Sequence, residues 1–454
     1  MKSKNQRTYG GWVAVWLVVG ALGVPQSRAE IYAELTLRHG ESLLGTVRID
    51  LHADSAPRPV ANFIGLATGQ LAWIHPQHQQ MMVDKPYYDG QIFHRLEHDF
   101  VIQGGDPLGL GSGGPGYVFQ DQFHPDLRHV RYQVSMAHSG AYSNGSQFFI
   151  VLAAETAFLD DLHSVFGEVR DPTSRAIIDG FMDDTLFPTE GTRPVTDIVI
   201  ESVVIGGSGL ASFDVFDPAH QLPLVKGVRS GLALDRSDPA QPVVRLEWPC
   251  EYLHQYPIGL SADLMNRPPM GNFLLVMDED GPVSVALPSA GSGGRQFAYV
   301  MAVDYSATVV APVDVLAPGA RLITGLHGGE LEVWFGSGVA GDIGTWTYTG
   351  SDSAVASGTL TVASRGYYDD NLVHMPVFPD GQRWIFGHWG WVKYLATRAL
   401  YLEFNQPVGP ENVWSLEVEM SFHSNTSGRL IGDSYNSEME HQPIRDPFTW
   451  TAPE

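Results

Sequence analysis

The sequence predicts a mainly β protein, with about eight strands and two helices before Gly206 and a second β-rich region after it. Apolar and polar residues alternate in many short runs, such as IYAELTLRH from Ile31, and a period of two is typical of a strand with one buried face. Only two segments of the first part carry the wider spacing of an amphipathic helix. Past Gly206 the alternation returns in runs such as WSLEVEMSFH, which turn residues separate.

The first predicted elements are a hairpin and a helix. IYAELTLRH and LLGTVRIDLH flank a Gly-Glu-Ser turn, which is the pattern of two antiparallel strands. The helix follows Pro57 and Pro59 and ends at Gly69. Its apolar stripe consists of Val60, Phe63, Ile64 and Leu66.

The segment from Gln70 to Lys85 is predicted to be a solvated loop. His75, His78 and Met81-Met82 suggest a soft-metal site, but their spacing matches no compact metal motif. We therefore expect no metal there.

The middle of the predicted eight-stranded part contains the candidate site. Strand alternation places Phe93 and Arg95 on one face of FHR, and Gln147 and Phe149 on one face of SQFFIV. A core face would be uniformly apolar, and a solvent face would not carry two phenylalanines. The mixture is typical of an apolar pocket with a few placed hydrogen-bond donors.

A glycine-rich run, a second helix and a closing strand complete this part. LGLGSGGPG, from Leu108, does not fit a phosphate-binding loop, because no Lys-Ser/Thr follows it and no helix begins after it. The second helix is predicted from Asp171 to Phe181, with Pro172 in its first turn. VTDIVIESVVIGG is the closing strand.

Six blocks of sequence, in order, resemble the cyclophilin family of peptidyl-prolyl cis-trans isomerases. They are FHR (93 to 95), FVIQGGD (100 to 106), GSGG (111 to 114), SMA (135 to 137), NGSQFFI (144 to 150) and FLDDLHSVFGEV (158 to 169). The resemblance extends from about Ile31 to Gly206. It implies a closed eight-stranded antiparallel barrel with two helices, and catalysis of rotation about X-Pro bonds without a cofactor or a metal.

The resemblance also implies the residues of the site. Arg95 would donate to the prolyl nitrogen of the twisted amide, and Phe100 and Gln103 would complete the catalytic set. The implied substrate-binding residues are Val101, Gly111, Ala137, His138, Ser139, Gln147, Phe149, Phe158, Leu159 and His163.

Three of these positions depart from the pattern of many family members. Val101 stands where many have Met, His138 where Asn is usual, and Phe158 where many eukaryotic members have Trp. The last change bears on cyclosporin sensitivity more than on catalysis. Two alternatives remain open: Arg95 as a surface arginine in a salt bridge, and His163 as a hydrogen-bonded histidine at the rim.

Residues 1 to 29 are predicted to be a secretory signal peptide. Lys2, Lys4 and Arg7 precede an apolar run from Trp12 to Val24, and Ser27-Arg28-Ala29 fits a cleavage site. The alternative is a membrane anchor, but the run is shorter than the roughly 20 residues that span a bilayer. We therefore expect a periplasmic or secreted bacterial protein with no stable membrane span after cleavage.

The charge of the chain limits its partners. Removing residues 1 to 29 takes away four basic residues and no acidic ones, which leaves 23 Lys+Arg against 51 Asp+Glu, a net charge of −28. Such an acidic surface does not favour nucleic acid. A single cysteine, Cys250, excludes an intramolecular disulfide.

Residues 208–305 are predicted to form a sandwich-like, fibronectin-like β-module and residues 306–454 a further β-rich domain. In WSLEVEMSFH, alternation points Leu416, Val418 and Met420 inward and Glu417 and Glu419 to water. Eight of the eleven tryptophans follow residue 210, and the richest cluster is WIFGHWGW, from Trp384. These tryptophans could fill the core of a β-domain, or they could stack on sugars or partner proteins.

Two acidic runs suggest calcium binding but lack EF-hand spacing, so we expect solvated turns there. They are Asp278-Glu279-Asp280 and Asp369-Asp370-Asn371.

Two functions are compatible with the sequence. The first is an exported prolyl isomerase that acts on proline-containing peptides and folding client proteins, with a β-rich tail that positions it. The second is a catalytically weak peptide-binding or chaperone protein that uses the same groove. A serine hydrolase is excluded, because no G-x-S-x-G motif occurs.

Overall fold

A computed structural model describes the chain from Glu30 onward, with gaps. The described residues are 30–140, 143–237, 243–251, 254–261, 273–276, 281–287, 297–308, 321–334, 343–351, 353–361, 384–386, 397–408, 413–424 and 427–451. The predicted signal peptide, both acidic runs and most of WIFGHWGW lie outside them.

The first part of the chain forms a β-barrel with two α-helices. Its strands are β1 (Tyr32–His39), β2 (Ser42–Leu51), β3 (Trp73–Ile74), β4 (Met81–Met82), β5 (Gln91–Ile92), β6 (Arg95–Glu97), β7 (Val101–Gly104), β8 (Gln133–Met136), β9 (Phe148–Val151), β10 (Val165–Glu168), β11 (Thr189–Glu190), β12 (Arg193–Pro194) and β13 (Ile198–Gly206). Its helices are α1 (Pro57–Thr68) and α2 (Pro172–Gly180), with a 3₁₀ turn at Ala157–Leu159.

Nine of these strands form one antiparallel sheet, in the order β5-β13-β1-β2-β10-β8-β9-β7-β6. The two end strands, β5 and β6, are neighbours in the chain and are separated only by Phe93 and His94. The ends of the sheet therefore meet at one interrupted strand. Counted as one strand, β5 and β6 give the predicted eight-stranded barrel.

The barrel core follows the alternation in the sequence. Ala33 and Leu35 of β1 are fully buried and pair with Ile49 and Val47 of β2, which are also fully buried. Helix α1 covers this interior with its apolar stripe, and Phe63 of that helix stacks on Tyr88 at a ring distance of 4.8 Å. The predicted hairpin and first helix are confirmed.

The ends of both helices agree with their local sequence. At the C-terminus of α1, Gly69 adopts a φ of 76°, a left-handed conformation that glycine takes without strain. At the N-terminus of α2, the Asp171 side chain accepts the backbone N–H of Ser174 at 2.9 Å. Helix α2 is confirmed within one residue of its predicted ends.

The predicted loop from Gln70 to Lys85 contains a short hairpin instead, in which β3 pairs with β4. Trp73 is buried and donates its indole N–H to the Lys85 carbonyl, which ties the hairpin down. His75 Nδ1 accepts the backbone N–H of Gln77 at 3.2 Å, so this nitrogen shapes the turn. No group of three or more His, Cys, Asp or Glu side chains within the described ranges is arranged to hold a metal ion.

Two sheets follow the barrel. A five-stranded sheet has the order β14 (Leu224–Gly227), β20 (Phe297–Asp304), β17 (His254–Ser261), β18 (Phe273–Val276) and β25 (Trp384–Phe386), and a three-stranded sheet has the order β15 (Gly231–Asp235), β16 (Val243–Cys250) and β19 (Gly281–Ala286). Both sheets bury apolar residues in one shared core, for example Trp248 of β16 and Tyr256 of β17. The two sheets thus pack on one core, and β25 joins them from beyond the predicted limits of 208–305, which stay a prediction.

The last sheet is built from the C-terminal strands. Its order is β24 (Val355–Thr361), β23 (Ile343–Thr349), β22 (Gly329–Trp334), β21 (Arg321–Leu326), β30 (Pro447–Thr451), β28 (Ser427–Asn436), β27 (Val413–Ser424) and β26 (Thr397–Val408), with β29 (His441–Ile444) paired to β28. Leu416, Val418 and Met420 are buried, as their alternation predicts.

The barrel core continues past the predicted boundary at residue 207. Val215 and Leu222, which follow 3₁₀ turns at Leu210–Ser212 and Pro218–His220, are buried against the barrel, and so are Val303 and Tyr305 of the next sheet. Arg58 of α1 donates to the His220 carbonyl at 2.9 Å. The proposed domain limits stay a prediction, but the residues after 207 contribute to the barrel core.

Among the described residues, the two α-helices have 12 and 9 residues, and neither could cross a membrane.

Candidate functional site

A second, smaller apolar cluster lies on the outer side of the barrel. Phe148 and Ile150 of β9 point into the barrel core, so Phe149 and Val151 point outward, where they pack with Val101 of β7. Partly buried apolar side chains surround these three residues: Phe100, Ala137, Ala153 and Leu159. We call this set the outer cluster, and it confirms the predicted alternation in SQFFIV.

Arg95 lies beside the outer cluster. Strand β6 pairs with β7 so that Arg95 is opposite Gln103, and Arg95 Nη1 donates to Gln103 Oε1 at 3.0 Å. Its Nε and Nη2 donate to Glu97 Oε1 at 3.0 and 2.6 Å. The guanidinium carbon is 5.6 Å from the centre of the Phe100 ring, a cation–π distance. Arg95 therefore forms a salt bridge with Glu97, as one alternative from the sequence held, and this salt bridge lies beside the outer cluster.

The prediction that Phe93 and Arg95 share one face is wrong. Phe93 is buried in the barrel core and packs on Phe148 at a ring distance of 5.9 Å. Phe93 and His94 are the two residues that interrupt the strand between β5 and β6. Because the alternation does not continue through this break, Arg95 points to the outer side.

A chain of side-chain amides connects Arg95 to the glycine-rich loop. Gln103 Nε2 donates to Gln147 Oε1 at 3.0 Å, and Gln147 Nε2 donates to the carbonyls of Gly111 and Gly113 at 3.0 and 2.9 Å. The same residues line a cavity of about 510 Å³ together with Ser112, Gly114, Val118, Ala137, His138, Ser139, Ser143, Gly145 and Ser146. Ala137 belongs to both the cavity lining and the outer cluster, and we call the two together the groove.

Asp106 organises the glycine-rich loop from below. Its carboxylate accepts the backbone N–H groups of Leu108, Leu110, Gly111 and Ser112 at 2.6 to 3.1 Å. A Cβ at Gly113 would lie 1.9 Å from Asp106 Oδ1, so only glycine fits there. The loop thus has a defined shape at the edge of the groove.

Two histidines border the groove on the side of the outer cluster. The rings of His138 and His163 are stacked at 4.1 Å, and His163 lies 5.6 Å from the Phe149 ring. Burial, and then the neighbouring His138, lower the pKa of His163 to about 4, so it is neutral near pH 7. Its Nδ1 donates to the Met136 carbonyl at 3.0 Å.

A third histidine, His129, lies beneath them. Its Nδ1 is 2.8 Å from Asp160 Oδ1, its Nε2 is 3.0 Å from Ser135 Oγ, and its ring stacks on Phe149. Burial lowers the pKa of His129, and the Asp160 carboxylate opposes that shift. His129 therefore supports the floor of the groove rather than its surface.

The structure brings together all thirteen residues predicted from the sequence. Ten line the cavity or belong to the outer cluster, and Arg95 and His163 contact them through Gln103 and Phe149. Phe158 projects from the rim with 66% of its surface exposed and stacks on Phe100 at 5.8 Å. Sequence reasoning missed Glu97, Asp106, Asp121 and His129. A signal existed for Glu97, because it lies two residues after Arg95 and so shares its face of β6.

Comparison with known proteins identifies relatives of the barrel. A family model described as "Cyclophilin type peptidyl-prolyl cis-trans isomerase/CLD" matches residues 35–205. The peptidyl-prolyl cis-trans isomerase B of Streptomyces anulatus is 43% identical over 177 residues, which are 39% of this chain and 97% of the relative. The probable peptidyl-prolyl cis-trans isomerase A of Mycobacterium leprae is 43% identical over 163 residues, or 36% of this chain and 87% of the relative. A solved cyclophilin type peptidyl-prolyl cis-trans isomerase from Cryptosporidium parvum is 26% identical, with a TM-score of 0.32, and covers 39% of this chain and 98% of its own.

Proposed function

Because the chain belongs to the cyclophilin-type peptidyl-prolyl cis-trans isomerase family and is such an isomerase, we propose that it rotates X-Pro bonds of peptides and folding proteins in the groove around Arg95. One observation carries this proposal. The Arg95 guanidinium is fixed between Glu97 and Gln103 beside an apolar cluster on the outer side of the barrel, whose rim residues Phe100 and Leu159 are only partly buried.

Arg95 acts on the bond that limits the reaction. Rotation about an X-Pro bond is slow because amide resonance gives a barrier of about 18–20 kcal/mol. In the twisted amide the lone pair returns to the prolyl nitrogen, which can then accept a hydrogen bond. Nη1 and Nη2 of Arg95 each carry a second N–H besides the one given to Gln103 or Glu97. One of these N–H groups stabilises the twisted state.

The outer cluster supplies the site for the proline ring. Val101 and Phe149 are only 2% and 4% exposed and lie outside the barrel core, so they form the floor of the site under its partly buried members. Phe100 and Leu159 flank them. An apolar ring bound there removes water from the neighbouring amide, and this strengthens the hydrogen bond from Arg95.

The peptide chain itself runs along the end of β8. Ala137 N–H donates to the Gln147 carbonyl at 2.9 Å, which keeps this segment in an extended form beyond Met136. We place the peptide as an added strand along Ala137 and His138, with Gln103 and His163 on either side. This mode needs no cofactor and no metal.

Export and the C-terminal sheets complete the proposal. The N-terminal segment has the composition of a secretory signal peptide, which supports a periplasmic or secreted location. The sheets after residue 208 would then hold client proteins or attach the enzyme, without taking part in chemistry at Arg95.

The test is a prolyl-isomerisation assay on residues 30–454, with a short Ala-Pro peptide and with an unfolded protein whose refolding is limited by proline. Acceleration of both supports the proposal. Peptide binding without acceleration would instead support the peptide-binding or chaperone function. A faster reaction on the short peptide after removal of residues 208–454 would mean that the C-terminal region covers the groove.

A further inference from the structure

Two backbone segments form the wall of the groove near the outer cluster. One is the end of β8 with residues 137–140, and the other is the turn at 160–163 that leads into β10. The last backbone hydrogen bond between them joins the Met136 N–H to the Ser164 carbonyl at 3.0 Å, and among the described residues no backbone hydrogen bond joins residues 137–140 to residues 160–163. Side chains therefore have to fix the distance between them.

Two histidines make this connection in opposite directions. His163, on the turn, donates its Nδ1–H to the Met136 carbonyl of the β8 segment at 3.0 Å. His138, on the β8 segment, places Nε2 at 2.8 Å from the Leu162 carbonyl of the turn. The two imidazole rings stack on each other, with ring centres 4.1 Å apart and an interplanar angle of 24°.

The partners of His138 also fix its tautomer. Nδ1 accepts the backbone N–H of Gly140 at 3.2 Å, so the proton must be on Nε2, the nitrogen that faces the Leu162 carbonyl. Nε2 is also 3.4 Å from the Asp121 carboxylate, which is completely buried and accepts from Asn144 at 2.7 Å. The neutral ring is therefore bonded at both nitrogens.

We propose that His138 and His163 form a reciprocal clamp that sets the width of the groove, and that His138 is a positioning residue for the bound peptide. The proposal rests on the function proposed above, since it concerns the binding of a peptide beside Arg95. It assigns to the His138 side chain a role besides the backbone pairing with the peptide that is proposed above.

A proton on either ring weakens the clamp. Protonated His138 can no longer accept from Gly140, and its charge would lie 4.1 Å from His163. Other charged or titratable groups around the pair are Asp121 beside His138, His129 at 6.4 Å from His163, and Asp160, Asp161, Arg128 and Arg429 around the turn. Because the pKa of His163 is lowered to about 4, this ring gains its charge, 4.1 Å from the His138 ring, only as the pH approaches 4. We therefore expect peptide binding to weaken as the pH falls towards 4.

The clamp is tested with two substitutions in the full mature chain. His138→Phe keeps a ring against His163 but removes both nitrogens, and His138→Asn keeps a polar group but removes the ring. The matched control is His124→Asn, a partly exposed histidine whose nearest carboxylate is that of Asp126. We expect KM for an Ala-Pro peptide to rise about five- to tenfold at pH 7 in both clamp variants, with kcat changed less than twofold. The control should match the wild type.

The pH profile and an NMR signal complete the test. The rise of KM between pH 7 and pH 4 should be smaller in both clamp variants than in the wild type, because the charge on His163 then no longer faces a second imidazole. The Nδ1–H signal of His163, protected from exchange in the wild type, should broaden or disappear in His138→Phe. Wild-type KM, pH profile and protected signal in folded His138→Phe would overturn the clamp. An inactive wild-type protein that still shows the protected signal, lost in His138→Phe, would leave the clamp standing and refute the proposed function.

Discussion

Replacing Arg95 by Ala separates catalysis from stability most sharply. The substitution removes the N–H donor proposed for the prolyl nitrogen and leaves the outer cluster in place. It also removes three hydrogen bonds, two to Glu97 and one to Gln103. The question is whether these bonds matter more to the fold or to the reaction.

The exposure of the pair decides the effect on stability. The side chains of Arg95 and Glu97 are 35% and 36% exposed, so water and salt screen their attraction. Such a pair contributes about 0–1 kcal/mol, which corresponds to a melting-temperature change of about 2–4 °C or less for a domain of this size. A hydrogen bond from a charged donor to the transition state is worth about 1.5–3 kcal/mol, or about a 10- to 100-fold loss in kcat/KM.

The assay is isomerisation of a short Ala-Pro peptide, with thermal unfolding followed on the same samples. Arg95→Lys tests whether a point charge is sufficient, and we expect it to recover only part of the rate because it lacks the planar fork held by Glu97 and Gln103. Arg170→Ala is the control, an exposed arginine paired with Glu168 away from the groove. If Arg95→Ala keeps kcat/KM within threefold of the wild type, the proposed mechanism is refuted.

Three further predictions follow from the site and its surroundings. Glu97→Gln should raise kcat about two- to fivefold in the peptide assay, because it removes the negative charge that partly neutralises Arg95. The free energy of unfolding should fall by about 2–3 kcal/mol more between pH 7 and pH 4.5 in the wild type than in His163→Gln. A fragment of residues 30–223 should melt about 5 °C or more above a fragment of residues 30–207, although both should catalyse, because only the longer one covers the barrel core with Val215 and Leu222.

Each of these has its own control. For Glu97→Gln, a fall in kcat would contradict the prediction. It would show that orienting the Arg95 guanidinium is a larger effect of the Glu97 carboxylate than neutralising its charge. For His163, the folded pKa of about 4 lies below the ordinary 6.5, so the unfolded chain takes up the proton first as the pH falls. Stability from this group is therefore present above about pH 6.5 and lost towards pH 4, and identical pH dependence in both proteins would contradict the burial of His163. For the fragments, equal melting temperatures would show that the barrel ends at residue 207.

The groove could be predicted from the sequence because its residues lie in short, contiguous motifs. Gln147 and Phe149 share a face through simple alternation, and the glycine-rich loop is one continuous run, LGLGSGGPG. The break at Phe93 and His94 could not be predicted in this way. The break arises because β5 pairs with β13, far along the chain, while β6 pairs with the adjacent β7. Local alternation of apolar and polar residues does not predict which strand pairs with which.

The supporting residues were harder to recognise for a similar reason. Asp121 and His129 lie in the long connection between β7 and β8 and Asp160 in the one between β9 and β10, and only the fold brings their side chains together beside His138 and Phe149. The extension of the barrel core to Val215 and Tyr305 has the same origin. A change in composition near residue 207 indicates a joint in the sequence, but it does not show which residues pack across that joint.

The hydrogen bonds that Asp106 accepts from the glycine-rich loop bear on the entropy of peptide binding. Ordering the backbone of one residue costs about 1–2 kcal/mol, and glycine loses the most freedom of any residue. Because one carboxylate already holds four N–H groups between Leu108 and Ser112, most of that cost is met when the protein folds, before any peptide arrives. The groove edge is thus preorganised, and a peptide that binds there loses mainly its own conformational freedom.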